Sequence, residues 1–183
     1  MSQILKGGCY CGGTTYTIAI PDKLPQVVGT PHKVPTSILD HCGKCRKTSG
    51  SLFQAWIVVP KPWITITYKY KEGSGGKLVE FQSSAHGTRS FCGACGTNLF
   101  YDSSKKKAMV EDMDGVVYLV NVTIGSLDEE SLTHVELVKP KLHVWWDHGI
   151  GWIKEAFTTA GQGFGGLAKY PTGDVRQSPE ELI

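Results

Sequence analysis

The chain has 183 residues, 40% of them hydrophobic and 20% charged, enough for one globular domain with its own core and too little for a multidomain machine. Nineteen Lys plus Arg stand against seventeen Asp plus Glu, a formal charge of +2, which excludes a whole-protein field that would gather nucleic acid or anionic lipid. The longest apolar run, around residues 116–120, falls far short of the roughly 20 residues of a membrane span, and residues 1–6 carry no hydrophobic stretch of secretory type; the expectation is a soluble, cytoplasmic protein.

In chain order, Cys9 and Cys11 come first, set among Gly7, Gly8, Gly12 and Gly13. Residues 14–20 are β-rich. Cys42 and Cys45 follow Asp40 and His41 and precede Arg46, Lys47 and Thr48-Ser49-Gly50-Ser51. A strand is predicted over 53–59. After Pro60 and Pro62, Ile64, Ile66, Tyr68 and Tyr70 alternate with Thr65, Thr67 and Lys69, an apolar face opposite a polar one. Glycines over 73–76 mark a turn. Short strands follow at 77–81 and 98–101, with Phe91-Cys92-Gly93-Ala94-Cys95-Gly96 between them. Lys105-Lys106-Lys107 reads as a charged loop, and 116–124 as a strand. Asn121-Val122-Thr123 fits the glycosylation pattern but is discounted in a core strand of an unexported protein. Ser126 and Glu129 form a capping box for one turn of helix, 134–138 reads as a strand, and 152–157 as a second helix. Residues 158–166 read as a loop. One domain over 1–170 gives way to a polar tail over 171–183. Without strand–helix alternation, the expected fold class is mainly β and antiparallel.

Six cysteines in three close pairs carry most of the chemical information. In a reducing compartment disulfides are the poorer reading, and close pairs separated by long intervals are how metal knuckles look. Cys92 and Cys95 have zinc-ribbon form, with two residues between the thiolates and glycines for the tight turn. A structural zinc takes four ligands and a catalytic one takes three, so either of the other pairs can complete the first tetrahedron. If Cys42 and Cys45 hold a second metal, Asp40 or His41 is the candidate third ligand. His32, His86, His134 and His143 have no pairing at metal spacing, and Trp56, Trp63, Trp145 and Trp146 read as core.

Three blocks carry a resemblance: Gly8-Cys9-Tyr10-Cys11-Gly12, Cys42-Gly43-Lys44-Cys45-Arg46-Lys47-Thr48-Ser49-Gly50, and Phe91-Cys92-Gly93-Ala94-Cys95-Gly96-Thr97-Asn98-Leu99. With Lys139-Pro140-Lys141-Leu142-His143-Val144 and Trp152, they make the chain resemble the glutathione-dependent formaldehyde-activating enzyme family, which includes the centromere protein V domain. The resemblance implies a β-tent fold of short sheets stapled by zinc with little helix, shared with zinc-binding Rab exchange factors and methionine-R-sulfoxide reductases. It implies that Cys9, Cys11, Cys92 and Cys95 hold a structural zinc, and that Cys42 and Cys45 belong to a catalytic one. The family's usual third cysteine, two positions before the first of that pair, is Asp40 here. Two thiolates and a carboxylate give the same formal charge on Zn²⁺ as three thiolates, but a harder oxygen should weaken retention and leave the metal more Lewis acidic. Alternatively His41 turns inward, or the site is empty and Asp40 acts as a base.

The chemistry implied is reversible addition of a thiol such as glutathione to an aldehyde such as formaldehyde, a carbon–sulfur lyase reaction. Asp40, Cys42 and Cys45 are then the catalytic set. Arg46 and Lys47 are candidates to pair with glutathione carboxylates, Ser49, Gly50 and Ser51 to bond its backbone, and Trp146, His148 and Trp152 to wall the pocket. Loops over 71–77 and 102–115 would set pocket size. The alternative function is a non-catalytic zinc-binding interaction module for nucleic acid or protein with a degenerate second site; near-neutral charge argues against nucleic acid. A sulfoxide reductase would need a further reactive cysteine, and there is none outside the three pairs. The expected partners are a small thiol and an aldehyde or thiol conjugate, with no membrane and with self-association left open.

Overall fold

Alternation of apolar and polar side chains dominates the architecture, as strands dominate the chain. The computed structural model describes residues 2–69, 77–159 and 163–175. The strands are β1 (Gln3–Gly8), β2 (Thr14–Ile20), β3 (Thr36–Asp40), β4 (Gln54–Pro60), β5 (Ile64–Tyr68), β6 (Leu78–Ser84), β7 (Gly87–Cys92), β8 (Asn98–Met109), β9 (Val116–Thr123), β10 (Leu142–Val144) and β11 (Ala168–Lys169). Among the described residues four α-helices join them: α1 (Gly43–Ser49), α2 (Glu129–Leu132), α3 (Val135–Val138) and α4 (Gly151–Thr159). The mainly β expectation holds.

The strands form a three-stranded sheet, β1-β2-β5, and an eight-stranded sheet in the order β11-β10-β3-β4-β9-β8-β7-β6. Pairing is antiparallel except at one edge, where β10 runs parallel to both β3 and β11. The small sheet packs on one face of the large one: Leu5, Tyr16 and Ile18 meet Ile57, Val59, Phe100, Val120 and Val122 in one buried cluster. Strand β4 is covered on both faces, with Trp56 and Ile57, neighbours that point opposite ways, both fully buried. That double burial is why its sequence reads as a continuous apolar run, and each such side chain contributes about 1.5–3 kcal/mol on leaving water. On the far face, Trp56 packs with Ile38, Cys45, Leu142, Val144 and Tyr170.

Several local expectations are corrected. Residues 135–138 form helix α3, not a strand: Val138 N donates to His134 O and Lys139 N to Val135 O, the i to i−4 bonds of a helical turn. The three lysines at 105–107 lie within β8, which extends through most of the loop expected over 102–115. Lys107 pairs with Tyr118 across to β9 and lies 4.9 Å over its ring. Ser126 does not cap a helix. Its hydroxyl bonds Tyr16 Oη at 2.7 Å and the Thr123 carbonyl at 2.8 Å, so α2 starts at Glu129. The helix expected over 152–157 is α4. Of the expected tail, residues up to 175 dock on the body, with Thr172 O accepting from Trp145 N and Val175 O lying 3.1 Å from His32 Nε2. The turn over 73–76 and the tail beyond 175 lie outside the described residues.

Candidate metal centres

Two clusters of ligand atoms come from the three cysteine pairs. In the first, the turn after β1 carries Cys9 and Cys11, and the turn between β7 and β8 carries Cys92 and Cys95; the four sulfurs lie within 4.8 Å of one another. Each turn closes on its own backbone. Gly12 N donates to Cys9 O and Gly96 N to Cys92 O, with Gly12 at φ 70° and Gly96 at φ 74°, in the left-handed region that glycine enters without penalty. Sulfurs of Cys9 and Cys11 are 3.5 Å apart and those of Cys11 and Cys92 3.7 Å. Four thiolates at about 2.3 Å from one ion stand about 3.8 Å apart, while a disulfide needs about 2.0 Å, so this set fits a tetrahedral metal ion. Burial pushes the Cys92 thiol up to about 11. At Cys95 burial is outweighed by hydrogen bonds from Thr97 and Cys11, which hold it down to about 6.

The second cluster is local in sequence: Asp40, Cys42 and Cys45 each place one ligand atom within 4.8 Å of the others. Asp40 ends β3, and the chain turns at once into α1, so one turn of helix brings Cys45 back to the carboxylate. Asp40 Oδ1 accepts Cys42 N at 2.8 Å, and Oδ2 accepts the Cys45 thiol at 3.0 Å. Asp40 and Cys45 are buried and Cys42 is half-buried. The thiols diverge. Hydrogen bonding to the Cys45 thiol and to the backbone N–H groups of Cys45 and Lys44 outweighs burial and holds Cys42 down to about 6. Cys45 is pushed up by its contact with Cys42, by burial and by the Asp40 charge. Two sulfurs and a carboxylate fit a three-ligand site that leaves one position open.

Strand parity decides what surrounds this set. Arg89, Tyr101, Asn121 and Val58 form one cross-strand row, on the face that also bears Trp56 and Asp40. Arg89 Nη2 donates to Cys45 Sγ at 3.2 Å. Lys106 Nζ donates to Asn121 Oδ1 at 2.7 Å and lies 5.6 Å over the Tyr101 ring; burial lowers its pKa against the pull of Asp40 and Cys45. Sequence reasoning singled out neither Arg89 nor this use of Lys106. Only the alternation along β7 and β8 could have placed them.

His41 takes the other side. Its Nε2 lies 2.9 Å from His143 Nδ1, both rings pack against Trp146 and Phe157, and His41 meets Phe53 as well, so it is Asp40 that joins the two thiols. Arg46 and Lys47 occupy the last turn of α1, where they favour the helix C-terminus electrostatically, and Gly50 caps it at φ 67°. Ser49 Oγ donates to Arg46 O and receives Ser51 N, which gives this segment a capping role. Trp152 on α4 is 59% exposed, and the half-buried Trp146 meets His41 edge-on and His143 at a tilt. A groove of about 530 Å³ lies elsewhere, between β5 and the strands β6 to β9, bordered by Ile64, Glu80, His86, Thr88, Asp102 and Tyr118; neither cluster lines it.

Residues 4–148 match the family described as glutathione-dependent formaldehyde-activating enzyme. Among solved structures, a Rhodobacter sphaeroides protein is similar at 14% identity and a TM-score of 0.43, covering 68% of this chain and 88% of that one. No curated protein matches.

Proposed function

This chain belongs to the glutathione-dependent formaldehyde-activating enzyme family, and from that premise we propose that it is a zinc-dependent carbon–sulfur lyase acting on adducts of glutathione or a similar thiol. The observation that carries this reading is the convergence of Asp40, Cys42 and Cys45, a donor set one ligand short of a closed tetrahedron. A zinc ion held there would act as a Lewis acid and ionise a thiol whose free pKa, about 8.5, leaves it mostly protonated at neutral pH. Cys9, Cys11, Cys92 and Cys95 would hold a second, structural zinc, and residues 1–170 would form one domain.

In the reaction, the thiol sulfur bonds to the aldehyde carbon as the carbonyl π bond opens, and the thiol proton ends on the new hydroxyl. The reverse direction breaks the same carbon–sulfur bond. Asp40 would fix the geometry: Oδ1 is held by Cys42 N, Oδ2 now takes the Cys45 thiol and is freed for an ion when that thiol ionises, and the half-buried Cys42 marks the open side. Arg46 and Lys47, on the outer part of α1, would pair with the carboxylates of glutathione. Ser49, Gly50 and Ser51 would bond its backbone, and the exposed indole of Trp152 would cover its apolar part. The cytoplasm, with its thiol pool, suits this chemistry; among the described residues no helix is long and apolar enough to cross a membrane.

Metal content and a thiol–aldehyde adduct assay on wild type and Asp40→Ala test the proposal together. Two zinc ions per chain and activity in the wild type, with one ion and no activity in the variant, is the expected result. One ion in both overturns it.

A further inference from the structure

Arg89 on β7 is only 4% exposed. Its Cζ lies 4.7 Å from the centre of the Tyr101 ring, its Nη2 contacts Cys45 Sγ, and its Nε and Nη1 are buried with no hydrogen-bond partner. A guanidinium stays charged at every pH the protein meets, and burying it is unfavourable unless an anion or hydrogen-bond acceptor compensates. Cys45, backed by Asp40, is that compensation. Three residues further along β7 is Cys92, a member of the first cluster. At about 3.3 Å per residue the two positions are about 10 Å apart on a strand held on both sides by β6 and β8.

We infer that Arg89 is a positioning residue that ties the second centre to the first. Loading the Cys9, Cys11, Cys92 and Cys95 set fixes the end of β7, and β7 then presents the guanidinium to Cys45. The inference rests on the proposal that Asp40, Cys42 and Cys45 hold a metal ion. An N–H donor on a ligand sulfur fixes its orientation and draws electron density from it, and losing such an outer partner typically costs 10–100-fold in metal affinity. The coupling is reciprocal, because each centre favours the same placement of β7.

Titration of the metal-free full chain with Co²⁺, read by the thiolate-to-cobalt charge-transfer absorption, tests it. The wild type takes two equivalents. Arg89→Met takes the first with unchanged affinity and the second about 10–100-fold more weakly, with the charge-transfer band of the second moved to longer wavelength because its sulfur donates more freely. Arg89→Lys keeps the charge and loses the planar fork; it shows the same band shift with a smaller loss, and it carries the test if the methionine variant does not fold. Cys11→Ser, which removes an exposed ligand of the first centre, weakens the second equivalent as well. Wild-type affinity and an unmoved band in the Arg89 variants overturn the role of Arg89 alone. A wild type that takes one equivalent overturns the second centre itself, and this inference with it.

Discussion

Nε2 of His41 donates to Nδ1 of His143 across 2.9 Å. The direction follows from the next bond in the chain: His143 Nε2 lies 2.8 Å from the Phe164 carbonyl, which only accepts, so in the neutral ring Nδ1 is bare. His41 Nδ1 is then left with neither proton nor partner. Burial, with the charges of His143 and Lys154, holds His41 down to about 4. Burial also lowers His143, against the opposing pull of the Phe164 carbonyl.

Acid should therefore loosen this corner before the metal ligands are considered. Both rings lie below their unfolded value of about 6.5, so as pH falls below that value the unfolded chain binds more protons, on the His41 account down to about 4. Stability is complete above the unfolded value and falls as pH drops through this window, by up to about 1.4 kcal/mol per pH unit for each ring. Urea denaturation at pH 7.5 and 5 should show the wild type losing more than His143→Asn. The metal ligands are common to both proteins and cancel in the comparison. Equal losses would remove His143 from the account.

Asp40→Cys should tighten the second centre. The formal charge of the ligand set is unchanged, and a soft thiolate replaces a hard oxygen, so zinc should resist a competing chelator about tenfold or more better than in the wild type. Retention no better than wild type would mean that the carboxylate is not a ligand.

Gly7 leaves no room for a side chain. A Cβ there would stand 2.5 Å from both the Ser126 carbonyl and the Tyr16 hydroxyl, and that hydroxyl is anchored on Ser126 Oγ. Gly7→Ala should cost about 1–3 kcal/mol in a denaturant titration. Gly125→Ala, whose Cβ meets nothing within 4 Å, should stay within about 0.5 kcal/mol of wild type.

Removing metal from the first centre should be felt by both sheets, since Cys9 and Cys11 follow a strand of the small sheet and Cys92 and Cys95 join two strands of the large one. Chelation should lower the melting temperature by about 10 °C, equivalent to about 3 kcal/mol. Added zinc should restore it. A melting curve indifferent to chelator would leave the four thiols without a structural metal.

The cysteine pairs were legible because ligand spacing is a local property, and Asp40 was legible because it stands where a ligand would. Arg89 was not, because an isolated arginine on a strand carries no spacing signal. Its meaning depends on which face of β7 it takes and on what β3 and α1 place beneath that face. His143 was passed over for the same reason. Its partner lies 102 residues away, brought alongside by a parallel pairing at the sheet edge that no short-range pattern announces. Helix α3 is not legible because an apolar run of a few residues fits period two and period 3.6 alike, and what separates them is the backbone bonding of Val138 to His134 and of Lys139 to Val135.

The two candidate metal centres also differ in when they could form. Asp40, Cys42 and Cys45 emerge from the ribosome within six residues of one another and can chelate an ion as a short peptide does. Cys11 must wait for Cys92, 81 residues later, a long loop to close in the unfolded chain. During that interval the early thiols are open to oxidation and to mispairing. If both centres hold metal, its supply during synthesis, and not only its affinity afterwards, would bear on how much of the chain reaches its native state.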